Sequence, residues 1–194
     1  MDITLNRAEL NAIDMNAMVE YVEPSCRVNF IAQAGLEHYR LLTYFARRLG
    51  GYLVDIGTNM GSSAIALASN PFATVFTFDI RDWYLGMQER RPDNINVIVG
   101  DFLDFVDEDI IKRADLIFLD IDHSGRLENV FIDLLRTVKF EGLLLIDDIH
   151  HPGYPNMKLT WERLSDLRRT DLTEYGHISG TGAVSFGQVS FKLQ

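Results

Sequence analysis

Residues 52–63, YLVDIGTNMGSS, join a short apolar run to a glycine-containing turn and then to small polar residues. The run from Tyr52 to Ile56 has the composition of a buried β-strand. Gly57 and Gly61 permit the positive φ angles of a tight turn, and they let a ligand approach the backbone. The stretch therefore predicts a strand, a turn and the start of a helix, which is the repeating unit of an α/β sheet.

The same alternation of strands and helices continues along the chain. Apolar runs such as VFTF, LIFL and LLLI are typical of strands buried on both faces. The last two predicted strands are joined by Ser-Gly-Thr-Gly without a helix, so one of them should run antiparallel. We predict an α/β fold with an open, doubly wound, mostly parallel seven-stranded sheet and an antiparallel strand near the C-terminus. Its strands are predicted at 52–56, 74–79, 95–99, 115–120, 142–147, 172–178 and 183–191, and its helices at 36–49, 61–69, 82–90, 102–112, 126–139 and 159–170.

Length and composition indicate one ordinary globular domain. The 194 residues are predicted to form a single domain, with a helical or lid segment at 1–35 and the core at 36–194. The net charge of -10 argues against a nucleic-acid-binding protein, because phosphate contacts require clustered Lys and Arg.

The sequence also predicts a protein of a reducing compartment. The single cysteine, Cys26, excludes an intrachain disulfide. The first ten residues lack a signal-peptide pattern, and polar residues interrupt the longest uncharged stretch, 56–78, so no membrane span is expected. We therefore expect a cytoplasmic location without a membrane partner.

Acidic residues stand at the ends of the first three predicted strands. Asp55 precedes the glycine turn, where it would suit an amine better than a phosphate. Asp79 is placed to accept hydrogen bonds from a ribose diol, or to cap a helix. Asp101 and Phe102 could hold an adenine, and Asp101 could also cap a helix. Asn59 replaces a glycine of the dinucleotide fingerprint, which indicates a ligand without a pyrophosphate.

This ordered set of acids around a glycine turn resembles the class I S-adenosylmethionine (SAM)-dependent methyltransferases, over about residues 36–191. The resemblance implies a Rossmann-like methyltransferase fold and SAM as the cofactor. The turn at Gly57 would hold the methionine part, Asp79 the ribose and Asp101 the adenine. The cofactor contacts expected from the resemblance are Asp55, Gly57, Thr58, Gly61, Ser63, Asp79, Arg81, Asp101 and Phe102.

The fourth and fifth predicted strands end in a second group of titratable residues. Neighbouring parallel strands lie roughly 4.8 Å apart, so these ends should face one crevice. Carboxylates at this density repel one another unless a cation such as Mg²⁺ or Mn²⁺ joins them. Alternatively, His123 could act as a general base, with Asp122 or another acid fixing its tautomer. The group comprises Asp120, Asp122, His123, Asp147, Asp148, His150 and His151.

The pattern Leu-Asp-Ile-Asp-His-Ser followed by Leu-Ile-Asp-Asp looks like the metal-dependent O-methyltransferase branch, whose members methylate catechols or sugar hydroxyls. The resemblance implies Asp120, Asp147 and Asp148 as metal ligands, with Mg²⁺ or Mn²⁺ as a second cofactor. Asp120, Asp122 and His123 are the expected catalytic residues. The residues expected to contact the acceptor are Asp148, His150 and His151.

We therefore predict transfer of a methyl group from SAM to a hydroxyl of a sugar, glycan or small diol. An NAD-dependent oxidoreductase or epimerase is an alternative, but Asn59 and the lack of a Tyr-x-x-x-Lys pair after the fourth strand count against it. A non-catalytic cofactor-binding module is a further alternative. The sequence leaves open whether the chain is a homo-oligomer or part of a larger multidomain protein.

Overall fold

The computed structural model describes residues 2–82, 90–105, 108–187 and 189–194. Within these ranges, two short 3-10 helices, Pro24–Phe30 and Thr173–Tyr175, accompany the α-helices and strands. The strands are β1 (Asp2–Leu5), β2 (Tyr52–Ile56), β3 (Thr74–Asp79), β4 (Ile95–Val99), β5 (Ala114–Leu119), β6 (Leu143–Ile146), β7 (Arg168–Asp171), β8 (Gly182–Ser185) and β9 (Ser190–Leu193). The α-helices are α1 (Arg7–Asn11), α2 (Asn16–Val19), α3 (Gln33–Leu49), α4 (Ser62–Leu67), α5 (Phe102–Phe105), α6 (Glu108–Arg113), α7 (Arg126–Thr137) and α8 (Pro155–Arg163).

Seven strands form one sheet in the order β4-β3-β2-β5-β6-β8-β7. β8 runs antiparallel to both of its neighbours, whereas the other neighbouring pairs are parallel. The predicted doubly wound sheet with an antiparallel insertion is therefore confirmed. The strand order reverses beside β2, between β3 and β5, and such a reversal opens a ligand crevice at the carboxyl ends of the strands.

Both faces of the sheet are covered by helices, which explains the continuous apolar runs. Successive strand residues point to opposite faces. Leu53 and Leu116 belong to the apolar cluster shared with α3 and α4, whereas Val54 and Ile117 belong to the cluster shared with α7 and α8. All four of these side chains are fully buried. The central strands are thus rigid supports for the loops at their ends.

The C-terminal elements differ from the predicted ones. The helix predicted at 159–170 is α8, which begins earlier because Pro155 fits the first turn of a helix. It ends at Arg163, and residues 168–170 of the predicted helix belong to β7. The strand predicted at 172–178 is wrong. These residues form a loop with a 3-10 helix at Thr173–Tyr175, where the Asp171 carboxylate accepts the Thr173 N–H, and the strand β7 lies before them. The strand predicted at 183–191 is wrong as one element: β8 belongs to the main sheet, and β9 pairs in parallel with β1. A bend separates them, in which the Ser185 hydroxyl donates to the Gly187 carbonyl and accepts from the Val189 N–H.

Two predicted helices fall partly outside the described residues. The helix predicted at 102–112 corresponds to α5 and α6, and residues 106–107 between them are not described. Most of the short helix predicted at 82–90 lies at 83–89, outside the described residues.

The N-terminal residues pack onto the outer side of α3. β1, which the sequence analysis did not predict, is buried at Ile3 and Leu5 and pairs with β9. The Tyr44 hydroxyl of α3 donates a 2.6 Å hydrogen bond to the Thr4 carbonyl. This packing holds α3 against the sheet. Among the described residues, no helix is long and apolar enough to cross a membrane.

Candidate active site

A cavity of about 590 Å³ lies beyond the carboxyl ends of the parallel strands. This is the position at which open α/β sheets bind ligands. Some of the expected cofactor contacts line this cavity together with the acids and the histidine that follow β5 and β6. We call the latter the acid–histidine group. The lining of the cavity includes Gly57, Asn59, Asp79, Asp101, Phe102, Asp120, Asp122, His123, Asp147, Asp148 and His177.

The turn after β2 forms one wall of the cavity. Gly57 has φ +111°, and a Cβ at this position would lie 1.8 Å from the Asp120 carbonyl oxygen. The Gly57 and Thr58 N–H groups both donate to the Phe78 carbonyl, at 2.9 and 3.1 Å. Asn59 has φ 44°, which asparagine tolerates better than most residues. The turn is therefore clamped between β3 and the end of β5, and only glycine fits at its start.

Asp79, at the end of β3, and Asp101, just after β4, both line the cavity. The Asp79 carboxylate accepts the Asn59 N–H at 2.7 Å and the Arg81 N–H at 3.0 Å. A carboxylate has about four acceptor positions, so Asp79 can still receive two ribose hydroxyls. The Asp101 carboxylate accepts the Leu103 N–H at 2.9 Å and still lines the cavity. Its local role at the start of α5 and its predicted adenine contact are thus compatible.

Asp55 lies beneath the glycine turn and does not line the cavity. Its side chain is fully buried and accepts a 2.6 Å hydrogen bond from the Thr77 hydroxyl, which lies 2.5 Å from the Thr58 hydroxyl. Burial raises the pKa of Asp55 to about 7. The structure therefore assigns Asp55 and Thr58 to the support of the turn. Gly61, Ser63 and Arg81 likewise do not appear in the described lining of the cavity.

Replacing Asp55 with asparagine is expected to change how stability depends on pH. The folded pKa of about 7 lies above the ordinary 3.8, so the folded state keeps a proton that the unfolded state releases. Between these values the wild-type free energy of unfolding falls by up to about 1.4 kcal/mol per pH unit from this group. Asp55→Asn should remove that slope, so urea unfolding at pH 5 and pH 7.5 should differ less than in wild type. An unchanged difference would contradict the buried, protonated carboxyl.

His123 lies between two carboxylates at the other end of the cavity. Its Nε2 is 2.9 Å from an Asp120 oxygen and 3.2 Å from an Asp148 oxygen. Burial alone would lower the pKa of His123, but the contact with Asp120 and the charges of Asp120 and Asp148 outweigh it and raise the pKa. The imidazole therefore supplies, when protonated, the positive charge that these carboxylates require.

The backbone of His123 is also held in an uncommon conformation. Its φ is +59°, and its N–H donates a 2.7 Å hydrogen bond to the buried Glu128 carboxylate of α7. Its ring stacks on Tyr154, with centroids 4.6 Å apart and planes 18° from parallel. These contacts fix both the turn and the plane of the imidazole.

Asp147 and Asp148 follow β6 and meet His177 in the same region. The His177 Nδ1 lies 3.9 Å from an Asp147 oxygen and 3.7 Å from an Asp148 oxygen. Burial, followed by the charges of Asp120 and Asp148, raises the pKa of Asp147 to about 8. Burial would also raise the pKa of Asp148, but interactions with His177, Ser179 and His123 lower it. The two neighbouring acids therefore differ in protonation near neutral pH.

The remaining predicted site residues have other partners. Asp122 lines the cavity, but its carboxylate accepts the Ser124 N–H and hydroxyl at 3.1 and 2.9 Å, so it does not orient the His123 ring. The His150 Nε2 lies 2.5 Å from an Asp171 oxygen of β7. His151 stacks on Tyr154 at 4.4 Å. Neither histidine belongs to the described lining of the cavity.

Sequence reasoning missed several residues of the site. His177 lies in a loop 29 residues after Asp148, and Tyr154 is the residue before α8. Glu128 looks like an ordinary residue in the first turn of a helix, and His38 is one polar residue on the buried face of α3. The usable signal is the position of Glu128 in the first turn of α7, where a carboxylate can reach back to the backbone N–H groups that precede the helix.

Sequence comparison agrees with this geometry. Residues 54–149 match the sequence model of a family described as a methyltransferase domain. No curated protein has a significant sequence match to the chain.

Several solved structures have the same fold. The O-methyltransferase from Bacillus cereus in complex with SAH has a TM-score of 0.64 at 19% identity, over 90% of this chain and 93% of that one. The SAH-bound Podospora anserina methyltransferase PaMTH1 has a TM-score of 0.63 at 15% identity, over 88% and 87%. The methyltransferase MycE of the mycinamycin pathway, in complex with Mg, SAH and mycinamycin VI, has a TM-score of 0.53 at 18% identity, over 77% and 47%.

Residues 54–149 thus match a methyltransferase domain, and the sheet has the Rossmann-like fold of the SAM-dependent methyltransferases to which the chain is similar. The predicted family, fold and enzyme class are thereby confirmed. The match favours this class over the alternative of an NAD-dependent oxidoreductase.

Proposed function

We propose that the protein transfers the methyl group of SAM to a hydroxyl of a sugar, glycan or small diol, with His123 as general base. The observation that carries this proposal is the shared cavity, in which nucleoside-binding acids and the acid–histidine group face one another. Methyl transfer is an in-line displacement, so holding the two reactants together supplies much of the rate.

The cofactor would occupy the half of the cavity between the glycine turn and α5. Asp79 offers acceptor positions for the ribose hydroxyls, and Asp101 with Phe102 forms the adenine end. Phe102 is buried and packs edge-to-face on Phe131, with ring centroids 5.3 Å apart, so its position is fixed. The methionine part would then lie along the turn at Gly57, directed toward Asp120 and His123.

His123 would take the proton of the acceptor as the reaction proceeds. The acceptor oxygen forms a bond to the methyl carbon, the carbon–sulfur bond breaks, and its electron pair returns to sulfur. The released proton moves to His123, and the nearby carboxylates of Asp120 and Asp148 stabilise the imidazolium. Neutral SAH and the methyl ether leave the site.

The metal-assisted form of the proposal uses Asp120, Asp147 and Asp148 as ligands. When bound, a divalent ion would supply Lewis-acid activation of an acceptor hydroxyl. Buried oxygens of Asp147 and Asp148 lack hydrogen-bond partners, which suits a cation. However, His123 already lies between Asp120 and Asp148. These contacts favour the general-base form.

The acceptor class is proposed from the chemistry around His123. The carboxylates of Asp120, Asp122 and Asp148 line this part of the cavity, and carboxylates that accept hydrogen bonds from hydroxyls suit a polar ring such as a sugar. MycE, which resembles this chain in fold, was solved in complex with mycinamycin VI, and we take that complex as support for a comparable acceptor here.

Calorimetry with SAM and NAD, followed by a methyl-transfer assay, tests the proposal. We expect SAM to bind and Asp79→Asn to weaken binding by about 10-fold to 100-fold, because hydrogen bonds to a charged group are lost. Asp93→Asn, which changes an exposed acid in the turn before β4, is the matched control and should bind SAM as wild type does. Labelled SAM should then methylate a hydroxyl in a panel of glycosides and small diols.

Two results would overturn this proposal. Saturable binding of NAD without binding of SAM would contradict the cofactor. Methylation of amines in a matched amino-sugar panel, with no transfer to hydroxyls, would contradict the acceptor chemistry while leaving the cofactor intact.

A further inference from the structure

Two imidazoles and one carboxylate meet at the inner edge of the cavity, behind the His123 arrangement. His38 comes from α3, Asp147 follows β6, and His177 precedes β8. The Asp147 Oδ1 atom lies 3.9 Å from the Nδ1 of His38 and 3.9 Å from the Nδ1 of His177. One potential ligand atom from each residue lies within 4.8 Å of the others. Elements distant in sequence thus direct three donors at one point.

Two of these donors are buried and have no partner. The side chains of His38 and Asp147 are 8% and 9% exposed. Neither the Nδ1 of His38 nor the Oδ1 of Asp147 has a hydrogen-bond partner. Buried polar atoms are normally paired, because desolvation without a replacement partner is costly. A ligand that both atoms contact would satisfy them together.

We propose that His38, Asp147 and His177 form a binding site for a divalent first-row transition-metal ion. Imidazole nitrogens suit such ions better than Mg²⁺, which prefers oxygen donors. The separations of 3.9 Å are shorter than about 4.2 Å, twice a typical metal–nitrogen distance, so one ion can contact each pair. Two imidazoles and a carboxylate leave further coordination positions for solvent or acceptor oxygens.

This ligand set differs from the three acids that the sequence predicts, and it leaves His123 free to act as a base. Asp147 is the one shared residue. The His177 Nδ1 also contacts the Ser179 hydroxyl, so binding of the ion at this nitrogen requires the Ser179 side chain to move to another rotamer. Asp147 and His177 line the cavity, so the ion would border the acceptor. A part in methyl transfer rests on the proposed function, whereas binding of the ion does not.

Titration of the metal-free protein with Co²⁺ tests the site. Binding is monitored by calorimetry and by the visible absorption of the bound ion. We expect one saturable site. His38→Ala and His177→Ala should each weaken it by at least about 10-fold to 100-fold, a loss already typical of residues that only support metal ligands. Asp120→Asn is the matched control, because Asp120 belongs to the three acids that the sequence predicts as ligands and not to the site proposed here. This variant should change the Co²⁺ affinity less than about threefold. Mg²⁺ should compete poorly.

Two outcomes would overturn the inference. One is the absence of saturable Co²⁺ binding to the wild-type protein. The other is loss of binding in Asp120→Asn with retention in His177→Ala, which would assign the ion to the three acids. His177 is partly exposed, so its variant decides the result if His38→Ala fails to fold. SAM binding measured on the same samples separates a failed metal site from a failed methyltransferase proposal.

Discussion

Replacing His123 with asparagine is expected to lower kcat/KM for methyl transfer by about 10²-fold to 10⁴-fold, the usual contribution of a positioned general base. Asparagine is the variant of choice, because His123 has φ +59° and asparagine tolerates this region. The Glu128 hydrogen bond uses the backbone N–H and should survive. SAM affinity, measured by calorimetry, should stay close to wild type, because the lost group faces the acceptor half of the cavity.

The pH profile separates a base from a residue that only shapes the pocket. The base must be neutral, and contacts with Asp120 and Asp148 raise the pKa of His123 above the ordinary 6.5. Wild-type activity should therefore rise with pH through a value above 6.5, and the asparagine variant should lose this limb. Near-normal kcat in the variant, with the same rising limb, would show that another group takes the proton.

Replacing Gly57 with alanine should be the most damaging single change to the fold of the site. The new Cβ would lie 1.8 Å from the Asp120 carbonyl oxygen, and φ +111° is unfavourable for alanine. Either the turn or the end of β5 must move. We expect a loss of about 3–5 kcal/mol in the free energy of unfolding, measured by urea denaturation. SAM binding should weaken as well, because the turn forms a wall of the cavity.

Gly50→Ala is the matched control for this prediction. Gly50 also has a positive φ, +60°, but its Cβ would meet only the Asn70 amide nitrogen, at 3.5 Å. With ψ −152°, Gly50 lies in a backbone region that is essentially restricted to glycine, so the strain without the clash should cost about 1–3 kcal/mol and leave SAM binding intact. Equal losses in the two variants would show that the backbone angle, and not the close approach of β5, makes glycine necessary at position 57.

The sequence predicts the central sheet well because burial on both faces leaves a strong local pattern. β2, β3 and β4 have the predicted bounds, and the acids at their ends fall in or beneath one cavity, as the topology requires. The exception is instructive. Asp55 has the right position in the chain, but its side chain points beneath the turn, and the sequence does not distinguish the two sides of a strand end.

Side chains that reach the site from outside the central strand ends leave no local sequence pattern of this kind. His38 is one polar residue in an apolar helix face, and His177 lies in a loop whose path depends on where β8 inserts. Likewise, β1 and β9 were not predicted as a pair, because short strands far apart in sequence have only tertiary contacts to define them. The positions of His38 and His177 and the pairing of β1 with β9 depend on tertiary contacts, which local sequence patterns do not encode.

The pairing of β1 with β9 also sets an order of events during synthesis. Asp2 and Ser190, whose side chains bond across this pair, are 188 residues apart. At about 5–20 residues per second, roughly 10 to 40 s pass between their appearances on the ribosome. For that time Ile3 and Leu5 have no β9 beside them, so β1 is made long before the strand with which it pairs.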